Sequence, residues 1–154
     1  MAEYAVEKLD NAFADLQSML PAQWAHTGDS DVECQPNWIL YRQLEQHEAA
    51  FLVIARDHGH PIGYMTAMIY PHPNAMSVKI GEIRTYYVDK DRPIVLNSMI
   101  DFTIAELARR GTYKIKAWTH AGHSAARLWE LKGFELSDIG LTMKLGKPSG
   151  ERYA

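Results

Sequence analysis

The sequence predicts a mixed α/β domain, a mostly antiparallel sheet of about six to seven strands with about four helices over its two faces. Three observations lead there. At Ala50 the apolar spacing changes from three- and four-residue steps to short continuous or alternating runs. Two such runs, Ala50–Ala55 and Ile62–Tyr70, are joined by Asp57-His58-Gly59-His60-Pro61, which is turn chemistry and implies an antiparallel hairpin. Beyond them, strand-like and helix-like segments alternate, which requires at least one parallel crossover.

Each element has its own signal. From Tyr4 to Leu20, Val6, Leu9, Phe13, Leu16 and Leu20 recur at helical steps, so the spacing predicts an amphipathic helix that Pro21 stops or restarts. Ala25 to Pro36 turns polar and reads as a loop, and Asn37 is placed to cap a second helix running to about His47. Phe51, Leu52, Val53 and Ile54 form a continuous apolar run, the pattern of a strand buried on both faces. Pro71 and Pro73 are expected to end the next strand, with a loop to about Val78 and a third strand from Ile80 to Val88. Ile94 to Arg110 is the clearest helix, with Leu96, Ile100, Ile104 and Leu107 in one stripe and Gly111 as its left-handed stop. Tyr113 to Thr119 alternates as a strand. Ser124 to Lys132 reads as a short helix closed by Gly133-Phe134, and Leu141 to Leu145 alternates as a last strand. The predicted core includes Leu52, Ile54, Ile83, Ile100, Ile104, Ile115, Leu128 and Phe134.

Composition narrows the function classes. With 154 residues the chain suits one domain. A net charge of −3 gives no general attraction to nucleic acid or anionic lipid, so neither is expected as a partner. One cysteine, Cys34, cannot form an internal disulfide; the start carries Glu3, Glu7 and Asp10 rather than a signal peptide; no apolar run approaches the ~20 residues of a membrane span. A cytoplasmic protein is expected.

Several residue pairs invite chemistry and are outweighed by plainer readings. Among the 7 histidines, His58 and His60 fall in a turn and His120 and His123 precede a helix, but no cysteine stands at zinc-site spacing, so no metal is expected. Ser124 beside His123 lacks a nucleophile elbow, and Cys34 lacks an adjacent base. Tyr86-Tyr87 reads as core plus groove wall. Glu82 reads on its own as a strand glutamate paired to Arg84 or Lys79.

The segment "HSAARLWELKGF" (123–134) resembles a signature of the GNAT superfamily of N-acetyltransferases, usually Asn-x-x-Ala-x-x-Leu-Tyr-x-x-x-Gly-Phe, with Ala125, Leu128, Gly133 and Phe134 on their expected places. "IGYMTAMIYPHP" (62–73), "TYYV" (85–88) and the stretch 37–64 resemble GNAT proteins encoded by bacteriophages, and the likeness covers about residues 20 to 146. It implies the acyl-CoA N-acyltransferase fold over 1–154, with a helical part at 1–48, a sheet and cofactor-groove part at 49–146 and a tail at 147–154. It implies acetyl-CoA as cofactor, with backbone groups of Tyr86, Tyr87 and Val88 along its pantetheine arm. The amides of the turn and helix start, including Ile94 and Asn97, would face its pyrophosphate, with Arg92 and Lys90 as phosphate contacts. The last helix, with Trp129, would line the other side, and Glu82 would be a general base facing a groove near Tyr87, with Trp129 across from it.

Two departures from that pattern matter. Where the family carries a glycine-rich pyrophosphate loop, this chain has Asp91-Arg92-Pro93-Ile94-Val95-Leu96-Asn97, so Ile94 and Leu96 replace glycines and Pro93 removes an amide donor. Trp129 replaces the motif tyrosine, and an indole N–H cannot protonate a thiolate as a phenol can. Weak acetyl-CoA binding is therefore expected. Acetyl transfer to a small-molecule or protein amine is the leading expectation. The alternatives are a degenerate scaffold that binds a protein such as a phage-targeted host factor, and an amine-sensing regulator.

Overall fold

The computed structural model describes residues 1–27, 31–90, 92–119 and 125–146. In chain order the elements are β1 (Ala2–Glu7), α1 (Leu9–Thr27), α2 (Trp38–Gln46), β2 (Ala50–Asp57), β3 (His60–His72), β4 (Ala75–Val88), α3 (Pro93–Arg109), β5 (Lys114–Ala117) and α4 (Ala125–Leu131). The sheet order is β1-β2-β3-β4-β5. Pairing is antiparallel except between β4 and β5, which the α3 crossover makes parallel.

The central strands are buried on both faces, as the continuous run 50–55 implied. On one face Phe51, Val53, Met65, Ala67 and Ile83 pack against Val95, Met99, Ile100 and Leu107 of α3 and Trp129 of α4. On the other, Leu52, Ile54 and Tyr64 pack against Leu9, Leu16 and Met19 of α1. Of the predicted core, Leu52, Ile54, Ile83 and Ile100 are buried, and Ile104, Ile115, Leu128 and Phe134 are half-buried at the rim of the α3–α4 cluster.

Local signals were honoured in several places. Asn37 caps α2 by accepting from the Leu40 amide at 3.0 Å. The hairpin turn sets both central residues, His58 (φ 49) and Gly59 (φ 82), in the left-handed region that matches strand twist. After α4 the Phe134 amide donates to the Trp129 carbonyl at 3.1 Å and its ring packs edge-on against that indole, centroids 5.1 Å apart.

Elsewhere the structure corrects the sequence reading. The described residues form five strands, not six to seven. Residues 2–7 are a strand on the outer edge of β2, with Ala5 opposite Ile54, so the N-terminal part is not wholly helical. The helical stripe starts only at Leu9 and continues through Ala12, Leu16 and Met19. Helix α1 also runs through Pro21 to Thr27; Pro21 and Gln17 are exposed, so the carbonyl that loses its amide partner lies on the wet side. Strand β3 continues through Pro71, at a register shift where the ladder tolerates a missing N–H, and β4 begins at Ala75 rather than Ile80. Residues 141–145 form no strand with any described residue and are exposed, with Leu141 at 94% and Leu145 at 90%, because alternation supplies a face but not a neighbouring strand.

Candidate active site

The site begins with one extra residue. Thr66 pairs with Thr85, yet the next β3 residue, Ala67, pairs with Ile83, so Arg84 is a β-bulge in β4. A bulge bends and twists its strand. Pairing to β5 stops at Ile83 opposite Ala117, with a last bond from the Trp118 amide to the Ile83 carbonyl at 3.3 Å, while β4 runs on to Val88. The Asp89 amide donates back to Ile62 of β3 at 3.0 Å. By the two-residue alternation of a strand, the backbone groups of Thr85 and Tyr87 face β3, and those of Tyr86 and Val88 face the side that β5 has left. Among the described residues the result is an open strand edge that leads into the N-terminus of α3.

The bulge also decides which side chains meet. Five residues apart on a regular strand, Glu82 and Tyr87 would point to opposite faces; Arg84 restores the phase, so Glu82, Thr85 and Tyr87 share the α1–α2 face with Tyr64, Thr66 and Met68. The Glu82 side chain is 13% exposed. Its Oε2 accepts from the Tyr70 hydroxyl at 2.8 Å and its Oε1 from Arg84 Nη1 at 2.9 Å. Burial first, then the bond to Glu82, pushes the Tyr70 phenol up to about 12, so it remains a proton donor at neutral pH. The Arg84 guanidinium lies 5.2 Å over the Trp118 ring. The plain reading of Glu82 as paired to Arg84 therefore holds, and Arg84 itself lines a cavity.

Of the residues expected at the cofactor, Val88 is half-buried at the end of the open edge and Ile94 is 78% exposed on the first turn of α3, where Asn97 is half-buried. Pro93 occupies a first-turn position of that helix, where its missing N–H costs the helix nothing but leaves one donor fewer for an anion. Its cap residue, Arg92, makes no side-chain cap. Arg92 donates instead to Asp57 at the far end of β2, and this bond more than anything else holds the Asp57 carboxyl below the usual range. Lys90 is exposed. Tyr87 turns its hydroxyl to Asp89 at 3.1 Å. Trp129 is not across from Glu82: it is 5% exposed beneath the other sheet face, with Tyr86 5.9 Å away, and among the described residues its indole N–H has no hydrogen-bond partner.

His58 and His60 are exposed in their turn, and among the described residues no group of three or more His, Cys, Asp or Glu side chains could hold a metal. His120, His123 and Ser124 lie outside the described residues. Cys34 is half-buried beside a cavity that sequence reasoning missed. That cavity, about 450 Å³, lies between the two N-terminal helices and the Glu82 face and reaches Arg84 and Thr85. Tyr70 was missed as well; only the cross-strand register, which sets it diagonal to Glu82, could have revealed it.

A mixed sheet with a bulged central strand that parts from its parallel neighbour above a helix start is the arrangement that the resemblance of the sequence implied. The chain belongs to the acetyltransferase (GNAT) family, whose profile matches residues 9–92. Solved structures agree on the fold. A ribosomal-protein-alanine N-acetyltransferase from Brucella melitensis biovar Abortus 2308 is 17% identical, with TM-score 0.70 over 94% of this chain and 100% of its own. A predicted acetyltransferase with acetyl-CoA from Clostridium acetobutylicum is 16% identical, with TM-score 0.73 over 100% of both chains. An aminoglycoside acetyltransferase in complex with sisomicin, from an uncultured soil metagenomic sample, is 12% identical, with TM-score 0.74 over 94% and 97%. No curated protein sequence matches the chain. Among the described residues no helix is long and apolar enough to cross a membrane.

Proposed function

We propose that the protein transfers an acetyl group from acetyl-CoA to an amine, with Glu82 as the proton acceptor. The observation that carries this reading is the Arg84 bulge. It puts Glu82 on the sheet face above which the cavity lies, bound to Arg84, which the cavity reaches, and among the described residues the adjacent strand edge is open. The residues fit acetyl-CoA in part. Tyr86 and Val88 offer backbone groups along the open edge, Ile94 and Asn97 lie on the first turns of α3, and Trp129 supports the strand from beneath. Tyr87 contributes its ring, because its backbone faces β3. Bound acetyl-CoA supplies the thioester: the amine nitrogen gains the acetyl group, and the proton it gives up passes to Glu82 and, in net, to the departing thiol. Tyr70 and Arg84 fix both carboxylate oxygens, so Glu82 is oriented before the amine arrives.

Binding of acetyl-CoA is weak in this reading, in the high-micromolar range. Ile94, Leu96 and Pro93 replace a glycine loop, and Arg92 is engaged by Asp57. Nothing observed favours the binding-module alternative. The decisive experiment follows coenzyme A thiol release with a panel of amines. Glu82→Gln keeps the shape and the Arg84 contact while removing the proton acceptor, so turnover should fall about a hundredfold with the melting temperature little changed. Undiminished turnover in that variant would remove Glu82 from the mechanism.

A further inference from the structure

The cavity has one wall that is neither helix nor strand. Residues 31–36, ahead of α2, give it Glu33, Cys34, Gln35 and Pro36. The packing of this wall is partial: Val32, Cys34 and Pro36 are half-buried, and Glu33 and Gln35 are exposed. Its own bonding is local. The Gln35 side chain donates to Glu33 at 2.9 Å, and the Pro36 carbonyl accepts from the Trp38 amide at the start of α2 at 2.9 Å. Among the described residues, the one hydrogen bond or ion pair that ties 31–36 to a distant part of the chain joins Asp31 to Lys144, at 2.7 Å.

Lys144 comes from the extended segment that follows α4, and two further contacts mark its course. Asp138 accepts from Lys116 Nζ at 3.2 Å. Lys116 is the β5 residue in register with Glu82, so this contact lies on the Glu82 face of the sheet. Gly140 then passes beside Trp118, where a Cβ at 140 would stand 3.8 Å from the ring. Arg84 stacks on that same ring and also lines the cavity. The segment thus leads from beside Glu82 to the cavity wall. Residues 138, 140 and 144 meet the body, while Ile139, Leu141 and Met143 are exposed, the alternation of an extended chain held along one side.

We infer that Lys144 and Asp31 are positioning residues for the amine side of the site: their ion pair holds residues 31–36 in place as the wall against which the acceptor amine is bound. The inference deepens the acetyl-transfer reading above, on which its effect on turnover rests. Neither residue touches the reacting atoms; both act through the wall.

The full chain carries its own reporter, because Cys34 in that wall is its single cysteine and is half-buried. Labelling by iodoacetamide, a neutral reagent, reads opening of the wall with no substrate present. Lys144→Met and Asp31→Asn should each speed labelling about two- to fivefold, the range open to an exposed ion pair. The two together should be no faster than one, and Asp31→Lys with Lys144→Asp should return the rate close to the original. Arg127→Ala, which removes the exposed pair to Glu130, should leave labelling unchanged. In thiol release with phenethylamine as the probe amine, Lys144→Met should raise the amine KM by a similar factor and keep kcat. Unchanged labelling in both single variants, or a swapped pair that labels as fast as they do, overturns the inference. A fall in kcat with KM unchanged overturns it too. Labelling as expected, with no thiol release from any amine of the panel, upholds the tied wall and overturns acetyl transfer instead.

Discussion

Arg84 shows how one residue can shape a site without reacting. It is the extra residue that bends β4, it holds one oxygen of Glu82, and it stacks on Trp118. The sequence marked Glu82 only through family resemblance, because a bulge leaves no pattern in a string of β-formers. Tyr70, the partner of Glu82, was invisible for a related reason: a tyrosine in a strand usually packs, and its hydroxyl gains meaning only from what lies across the sheet. Arg92 was legible as a cation beside a helix start, but its partner, 35 positions away, was not. That pairing makes phosphate binding a competition in the proposed cofactor site. Asp57→Asn removes the competing anion and should tighten acetyl-CoA binding about threefold, since an ion pair this open to solvent is modest. Arg92→Ala should weaken it about tenfold. Calorimetry at moderate ionic strength reads both; weaker binding in Asp57→Asn would show that the carboxylate positions Arg92 rather than withholding it.

At the scale of elements, legibility followed how much of the signal was local. The 50–70 hairpin and the helix over 94–110 were readable because turn residues, apolar period and the Gly111 stop all lie within the element, and Gly111 does adopt φ +84. Strand β1 was not, because Val6 fits a helical stripe as well as a strand, and only the unpaired edge of β2 decides between them. Pro21 and Pro71 misled for the opposite reason: a local breaker was overridden by packing on either side of it. The end of α3 carries a local electrostatic prediction. Glu106 accepts from Arg109 at 2.7 and 2.8 Å and from Arg110 at 2.7 Å. Arg109 first, and then Arg110, draws its carboxyl from the ordinary 4.5 to about 2. Arg110 in turn lies 4.4 Å over the Phe51 ring, which ties the helix end to β2. A folded-state value below the unfolded one contributes stability that is full above about pH 4.5 and is lost as pH falls toward about 2. Glu106→Gln should therefore cost on the order of 1–2 kcal/mol at pH 6 and progressively less below pH 4. Urea unfolding of both proteins at pH 6 and pH 3 measures the difference, and an equal gap at the two pH values would refute the assignment.

Across the whole molecule, one sheet separates two cores, and the two proposed ligands approach it from different directions. The amine would enter from the α1–α2 side, where Leu52, Ile54 and Tyr64 form the floor, while acetyl-CoA would follow the open edge of β4 toward α3. The helical and strand patterns foretold cores on both faces, but not that the α1–α2 core would be hollow, since cavity volume depends on how α1 is set above the sheet. Global stability then becomes a readout of the cofactor site, because a ligand that binds only the folded chain stabilises it by RT ln(1 + [L]/Kd). With the proposed weak binding, taken as ~200 µM, acetyl-CoA at about 2 mM contributes about 1.4 kcal/mol. For a chain of 154 residues that is a rise in melting temperature of roughly 3–5 °C. A glycine-loop enzyme with submicromolar affinity would instead gain about 5 kcal/mol at the same concentration, and so more than ~10 °C. The shift should shrink as salt is raised, since the proposed phosphate contacts, Arg92 and Lys90, are solvent-accessible side chains rather than buried amides. A thermal melt with and without acetyl-CoA, repeated at low and high salt, checks both parts. A large, salt-insensitive shift would mean that the first turn of α3 holds the pyrophosphate through its backbone despite Pro93, Ile94 and Leu96.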